Sequence, residues 1–357
     1  MPRRPTHAKP RPSADAPPPG GISLKALAEY LGLSPATVSL VMNRSPVADS
    51  IPQATKDRIL AAARECNYSP NHIARSLRKQ RSLTVGVIVP EVSEGYAAMV
   101  MSGIEDFLLQ AGYFYFVVSH RHKKDLLDEY SRLLLGRSVD GLIAVDTLCE
   151  QKMPIPVVSV SGHREVSGIT NVVINHHRAA FLAVNHLAGL GHREVAFIKG
   201  QDFSSDTETR WNAIREACRK LKLRISPELT GQLEGESSSP EVGYRVTKQI
   251  LGRGKAFTAL FAFNDIAAIG AIAALREAGL SVPDDVSVVG FDDIQSAAYQ
   301  NPPLTTVRQP LRKMGEMAAK ILLRRIGASP ENPYEKLFVL EPELVIRSSS
   351  GPCPIRA

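Results

Sequence analysis

Leu24, Leu27, Ala28 and Leu31 recur at i, i+3, i+4 and i+7, a spacing that predicts one apolar face on a short helix. Gly32 supplies the left-handed backbone that ends it. Ser34 is a good N-cap, and Pro35 sits at the first helical position, where its missing N–H costs nothing. Val38, Val41 and Met42 then form the buried stripe of a second helix. Only Gly32, Leu33 and Ser34 separate the two, and so tight a glycine-bearing turn predicts a helix-turn-helix. A third helix over 53–66 brings Ile59, Ala62, Ala63 and Cys66 to one side and closes a three-helix core. Residues 71–82 are helical by pattern but too short and polar to hold alone. They read as a linker that becomes a helix only when something stabilises it.

From Leu83 the pattern changes. Apolar, β-branched runs at 84–89, 114–118, 141–145, 157–160, 172–174, 195–198, 259–262 and 286–289 alternate with amphipathic stretches at 97–110, 124–135, 178–189, 209–221, 240–251, 265–278 and 311–326. Buried strands alternating with helices predict parallel sheets covered on both faces. Some 270 residues of this texture suggest two sheets, hence two lobes with a ligand cleft beyond the carboxyl ends of the strands.

Composition is ordinary for a globular protein, with 44% hydrophobic and 22% charged residues among 357. Charge placement says more than the total. Residues 1–82 hold 13 Lys and Arg against 5 Asp and Glu, a net +8 in a chain of +7. A basic module joined to a near-neutral one is the footprint of an end that meets phosphate, although charge alone fits a solvated basic surface equally well. Seven prolines and few large apolar residues make 1–21 a disordered basic arm. No apolar run is long enough for a membrane span, and the Pro- and Arg-rich start does not read as a secretory signal, so a cytoplasmic location is expected. Cys66, Cys149, Cys218 and Cys353 lack paired spacing, which argues against a zinc site or a disulfide framework. His120-Arg121-His122 and His176-His177 lack one-face ligand spacing and any neighbouring Cys or acid cluster in sequence. Surface or pocket-edge histidines, with no metal and no cofactor, are the expectation. Gly252-Arg253-Gly254-Lys255-Ala256 lacks the first glycine and the Ser/Thr of a phosphate loop. No nucleophile elbow or zinc-protease signature appears, so the chain is not expected to be an enzyme.

The stretch from Leu27 through Ser39, followed by Asn43, resembles the helix-turn-helix of the lactose-repressor (LacI/GalR) family, and Tyr68-Ser69-Pro70-Asn71 followed by Ala74-Arg75-Ser76-Leu77 resembles its hinge. Gly103-Ile104-Glu105, Val139 to Ile143, Leu190-Gly191-His192-Arg193, Asn264-Asp265, Val282 to Asp293 and Pro303 to Gln309 continue the likeness in order, from about residue 22 to 348. The resemblance implies an α/β chain: a helix-turn-helix head at 22–70, a hinge helix at 71–82, and a two-lobed core at 83–348 like periplasmic binding proteins. Crossovers between lobes are expected near 174, 308 and 336, with a tail at 349–357.

By the same resemblance the second helix enters the major groove of operator DNA, with Pro35, Ala36 and Leu40 at the positions that set specificity. These three offer only apolar contact, for instance to thymine methyls. Lys25, Ser34, Thr37, Ser39 and Asn43 are implied as further DNA contacts, as are Asn71, His72, Ala74, Leu77 and Arg78 of the hinge. Leu77 is expected either to wedge between base steps of the minor groove or to pack the hinge onto its dimer mate. The stretch from Arg44 to Ile51 is about three residues longer than in the lactose repressor, so contacts from that loop do not carry over.

The implied effector contacts are Tyr96, Ser161, Arg210, Asn264, Asp292 and Gln309. Planar Arg, Asn and Asp groups make paired hydrogen bonds to vicinal hydroxyls. Arg210 could instead form a surface ion pair, and Asp292 could cap a helix. Glu94 to Ala97, Ser161-Gly162 and Asn175-His176 depart from the family pattern and make the first-lobe wall less acidic than a sugar site usually is. A sugar leads as effector, with a purine, nucleoside or other metabolite as the alternative. Two heads imply a homodimer on a pseudo-palindromic operator, and the short tail without heptads argues against a tetramer-forming coiled coil. A transport-binding protein would need a secretory signal and no helix-turn-helix, the reverse of this sequence.

Overall fold

The computed structural model describes residues 22–43, 45–68, 81–92, 95–235, 239–328 and 333–354. The chain divides into two units, with the boundary between Gln80 and Arg81. The basic arm and residues 69–80, which include the hinge positions Asn71, His72, Ala74, Leu77 and Arg78, lie outside the described residues.

The first unit is the helical head. Helix α1 (Leu24–Leu31) starts at Ser23, whose side chain accepts from the Ala26 N–H, and ends at Gly32 with φ +62°. Helix α2 (Pro35–Met42) starts at Ser34, which accepts from the Thr37 N–H at 3.1 Å. Helix α3 (Gln53–Glu65) follows a short 3-10 turn over Pro46–Ser50. Leu27, Ala28, Leu31, Val38, Val41, Ala48, Ile59, Ala62 and Ala63 form the buried core, with Met42 and Cys66 at its edge.

The second unit contains two six-stranded sheets. In the first, β1 (Thr84–Val89), β2 (Phe114–Ser119), β3 (Gly141–Val145), β4 (Val157–Val160), β5 (Ile169–Ile174) and β11 (Leu337–Leu340) run parallel in the order β11-β5-β4-β3-β1-β2. In the second, β6 (Val195–Lys199), β7 (Thr230–Gln232), β8 (Ala259–Ala262), β9 (Ser287–Asp292), β10 (Thr305–Arg308) and β12 (Glu343–Val345) take the order β12-β10-β9-β8-β6-β7, with β12 antiparallel to β10. Strands β3, β4, β5, β8 and β9 are buried along their whole length, and in β1, β6 and β10 only the terminal Thr84, Lys199 and Arg308 are not. Strand β2 is an exception: it is an edge strand, half exposed, with Phe114 62% exposed.

The connecting helices are α4 (Gly95–Gln110), α5 (Lys124–Gly136), α6 (His176–Gly189), α7 (Asp206–Lys220), α8 (Pro240–Gly252), α9 (Asp265–Glu277) and α10 (Leu311–Gly327). Two helix pairs approach backbone to backbone. A Cβ on Gly103 of α4 would stand 1.9 Å from the Arg312 carbonyl oxygen of α10, and one on Gly270 of α9 would stand 1.9 Å from that of Pro240 in α8.

The chain passes between sheets after β5, after β10 and between β11 and β12. The third passage therefore follows Leu340 rather than lying near 336; strands of three or four residues at a sheet edge leave no periodic signal. Residues 349–354 are not a loose tail either. Ser349 is fully buried, and its hydroxyl donates to the Val288 carbonyl at 2.6 Å while its own carbonyl accepts from the Val288 N–H at 2.7 Å. His192 Nε2 lies 3.0 Å from the Gly351 carbonyl oxygen, and the Cys353 N–H donates to Leu190. His192 thus anchors the end of the chain.

Candidate functional site

In the head, Lys25, Ser34, Pro35 and Ala36 are exposed, and Thr37, Ser39 and Leu40 are half-buried. Leu40 packs at the edge of the head core, so part of its surface already has a structural use. Ser34 Oγ lies 2.9 Å from Thr37 Oγ1, a side-chain link added to the N-cap. Asn43 folds back on α2, its amide donating to the Ser39 carbonyl at 2.7 Å and to the Ser39 hydroxyl at 3.1 Å. Tyr30 is 60% exposed on α1 and was not singled out by pattern, because an aromatic on a polar helix face carries no periodic signal.

The second candidate site is the cleft between the core sheets. Tyr96, His122, Asp146, Gln201, Phe203, Ser204, Asp206, Arg210, Phe263, Asn264 and Asp292 line about 430 Å³ of empty space, part of it open to solvent. Asp146 directly follows β3, Phe263 and Asn264 follow β8, and Asp292 ends β9. The cleft therefore lies at the carboxyl ends of the strands, where parallel α/β sheets place ligands. Asp146, Ser161 and Asp292 have φ of +40°, +62° and +116°. Left-handed backbone at non-glycine residues costs energy and concentrates at ligand sites.

Of the six expected effector residues, Tyr96, Arg210, Asn264 and Asp292 line this cleft, and Ser161 and Gln309 are buried, each bonded to one of them. Tyr96 Oη lies 2.6 Å from Ser161 Oγ, and Gln309 Nε2 donates to Asp292 Oδ1 at 2.7 Å. Asn264 caps α9, its Oδ1 accepting from the Ala267 N–H at 2.8 Å, and also faces the cleft. Arg210 is not a surface ion pair: it is 3% exposed. Its guanidinium lies 3.7 Å from the Phe291 ring centre and 4.3 Å from that of Phe263. It donates to the Phe263 carbonyl at 2.6 Å and to Asp206 Oδ2 at 2.7 Å. Asp292 is a strand-end carboxylate rather than a helix cap.

The first lobe contributes one carboxyl group to the cleft wall, Asp146. Asp146 reaches from the first lobe to the start of α7 in the second. It accepts from the Ser205 hydroxyl at 2.8 Å, the Ser205 N–H at 3.2 Å and the Ser204 hydroxyl at 3.3 Å. Asp206 Oδ1 lies 2.6 Å from His163 Nε2 and 3.3 Å from His176 Nε2. His176 is buried beside an acid rather than at a pocket edge, and His120 is buried against Thr147 at 3.1 Å. Asp146, Asp206 and His163 carry no local signature, since each follows a strand or starts a helix and only the fold brings them together.

These surroundings set the charge states. Burial pushes the Asp146 carboxyl up to about 7, the charge of Asp206 adds to the rise, and the hydrogen bonds from Ser205 oppose it. Burial likewise holds Asp292 well above the carboxylate range against the pull of Arg210. Asp206 goes the other way: burial alone would raise it, but His176, Arg210 and His163 hold it well below its ordinary value. Between its ordinary value near 4 and about 7, folded Asp146 keeps a proton that the unfolded chain releases, so this group's contribution to stability falls as pH rises through that window. Burial lowers His120 and His122 to about 4, giving the opposite slope from about pH 4 to 6.5. The difference between native protein and Asp146→Asn isolates the carboxyl: denaturant unfolding from pH 5 to 7 should show the native protein losing ground to the variant as pH rises. Parallel curves would show that Asp146 is ionised throughout.

Two family models match: "Bacterial regulatory proteins, lacI family" over residues 23–71, and "Periplasmic binding protein-like domain" over 184–350. The HTH-type transcriptional repressor PurR of Aliivibrio fischeri strain MJ11 is 33% identical over 337 residues, which is 92% of this chain and 98% of that protein. The protein of the same name from Haemophilus influenzae strain KW20 is also 33% identical, with the same coverage. Among solved structures, the Lac repressor dimer bound to operator and the anti-inducer ONPF superposes with a TM-score of 0.80 at 27% identity, covering 93% of this chain and all of that one. The transcriptional regulator CelR–cellobiose complex gives 0.68 at 27% identity, covering 92% and 100%. A LacI family regulator from Enterococcus faecium with bound ribose gives 0.65 at 29% identity, covering 75% and 99%.

Proposed function

The chain belongs to the lacI family of bacterial transcriptional regulators, and from that premise we propose that it represses transcription as a homodimer on a pseudo-palindromic operator, under control of a small sugar-like molecule held in the core cleft. Operator binding through a helix-turn-helix and control through the binding-protein-like core come with the family. The effector class rests on one observation, the wall formed by Asp146, Asp206, Asp292, Asn264 and Gln201 beside Tyr96, Phe203 and Phe263. Carboxylates accept hydrogen bonds from hydroxyls, and aromatic faces cover the apolar side of a ring. Arg210 is committed to Asp206, so no free cation is offered to an anionic ligand by that residue. The solved relatives with bound cellobiose and ribose support the sugar class.

A purine base is the second reading, favoured by the planar faces of Phe263 and of His122 stacked on Phe203 at 3.7 Å. It is also favoured by the PurR name of the relatives. Thermal unfolding of the full chain against neutral sugars and purine bases separates them, because a true ligand stabilises the fold by mass action. Sugars raising the midpoint support the first reading; a rise with purines alone replaces it by the second.

Repression follows from a population shift: ligand changes lobe closure, and closure changes the fit of the two heads to two half-sites. In the hinge, Leu77 wedges between base steps, a device that unstacks and kinks DNA. Leu77→Ala should lower operator affinity by about tenfold or more, since unstacking involves a few kcal/mol per step, and leave sedimentation of the dimer unchanged. Unchanged operator affinity would instead assign Leu77 to packing.

A further inference from the structure

We propose that His163, His176 and Asp206 form a binding site for one divalent transition-metal ion of the zinc class, tying the two core lobes together. The three ligand atoms, two imidazole nitrogens and one carboxylate oxygen, all lie within 4.8 Å of one another. His163 stands three residues past β4 of the first sheet, His176 opens α6 immediately after the chain leaves β5, and Asp206 opens α7 of the second lobe. Both histidines aim Nε2 at the same oxygen, Asp206 Oδ1, at 2.6 and 3.3 Å. An ion among these atoms would receive a lone pair from each, whereas without one the two rings share a single carboxylate oxygen.

Three features make this set more than a hydrogen-bonded triad. The other carboxylate oxygen, Oδ2, is held by Arg210 at 2.7 Å, which leaves Asp206 as a one-oxygen ligand with an oriented outer partner. The Asp146 and Asp292 carboxyl groups line the same cleft, so an entering cation meets further oxygen donors. His163 is partly exposed and Asp206 lines the cleft, which provides an entry path and room for a solvent ligand as a fourth partner. Two imidazoles and a carboxylate suit zinc, cobalt or nickel rather than calcium or magnesium, which prefer all-oxygen sites.

The site does not rest on the sugar reading, and its test uses no sugar. The full chain, stripped with a chelator, is titrated with Co²⁺ and the d–d absorption recorded, then with Zn²⁺ by calorimetry. One Co²⁺ per chain with visible absorption, displaced by Zn²⁺, is expected. His163→Ala should weaken uptake by more than the roughly 10–100-fold that losing a mere outer partner costs, with circular dichroism of the metal-free variant checking that it is folded. His177→Ala, an exposed neighbour outside the triad, should bind as the native chain does. Absence of uptake, or uptake that survives in His163→Ala, overturns the proposal.

Discussion

Arg210→Ala is expected to cost the core about 3–5 kcal/mol, the range for removing one partner of a buried ion pair. The guanidinium is sandwiched between Phe263 and Phe291 and is bonded to Asp206 and to the Phe263 carbonyl. Its loss leaves the Asp206 carboxylate buried with only His163 and His176 beside it, and opens a void between two rings. With total stabilities of about 5–15 kcal/mol, such a loss takes a large share. Arg210→Lys should recover little, because an ammonium cannot stack flat between rings or make both bonds in one plane. Chemical denaturation followed by ligand titration checks both parts. A variant as stable as the native protein would contradict the packing described.

The second large effect has a sign that helix propensity alone would predict wrongly. Gly270→Ala introduces the better helix former by about 1 kcal/mol, yet the new Cβ would stand 1.9 Å from the Pro240 carbonyl oxygen and 2.6 Å from the Tyr244 nitrogen. Those are backbone atoms of α8 and cannot swing aside. The helices must separate, and overpacking of this kind costs about 1–3 kcal/mol. Gly136, near the end of α5, faces open space, so Gly136→Ala should gain up to about 1 kcal/mol. Opposite shifts in melting midpoint for the two variants are the expected result; a gain for both would mean that α8 and α9 are not in close contact.

The same contrast explains what could be read from sequence. Ser23, Gly32, Ser34 and Pro35 fix helix ends through their nearest neighbours, so the head follows from local pattern. Buried strands advertise themselves by unbroken runs such as Val157–Val160. The resemblance also leads to Tyr96, Arg210, Asn264 and Asp292, which line one cleft, and to Ser161 and Gln309, which bond to Tyr96 and Asp292. What escaped is what only tertiary structure assembles. Asp146 bonds to Ser204 and Ser205, some sixty positions away. His163 meets Asp206 from the opposite lobe, and Ser349 completes bonds with Val288 and Thr305. Strands β11 and β12 are so short that sheet neighbours, not periodicity, define them. At Ser161-Gly162 and Asn175-His176 the first-lobe wall lacks the acids of the family pattern, and Asp146 adds one carboxyl group from another turn.

Control of DNA binding by a ligand in the core cleft is what we propose for this chain. It is tested most directly by measuring the affinity of the full chain for a DNA site selected from a random library, across a salt series, with and without the sugar that most raises its melting midpoint. Affinity should fall steeply with salt, as counterion release from phosphates requires, and should change by about 5–150-fold on ligand binding, the usual range of allosteric coupling. Affinity that is flat in salt, or identical with and without a ligand that demonstrably binds the core, would contradict it.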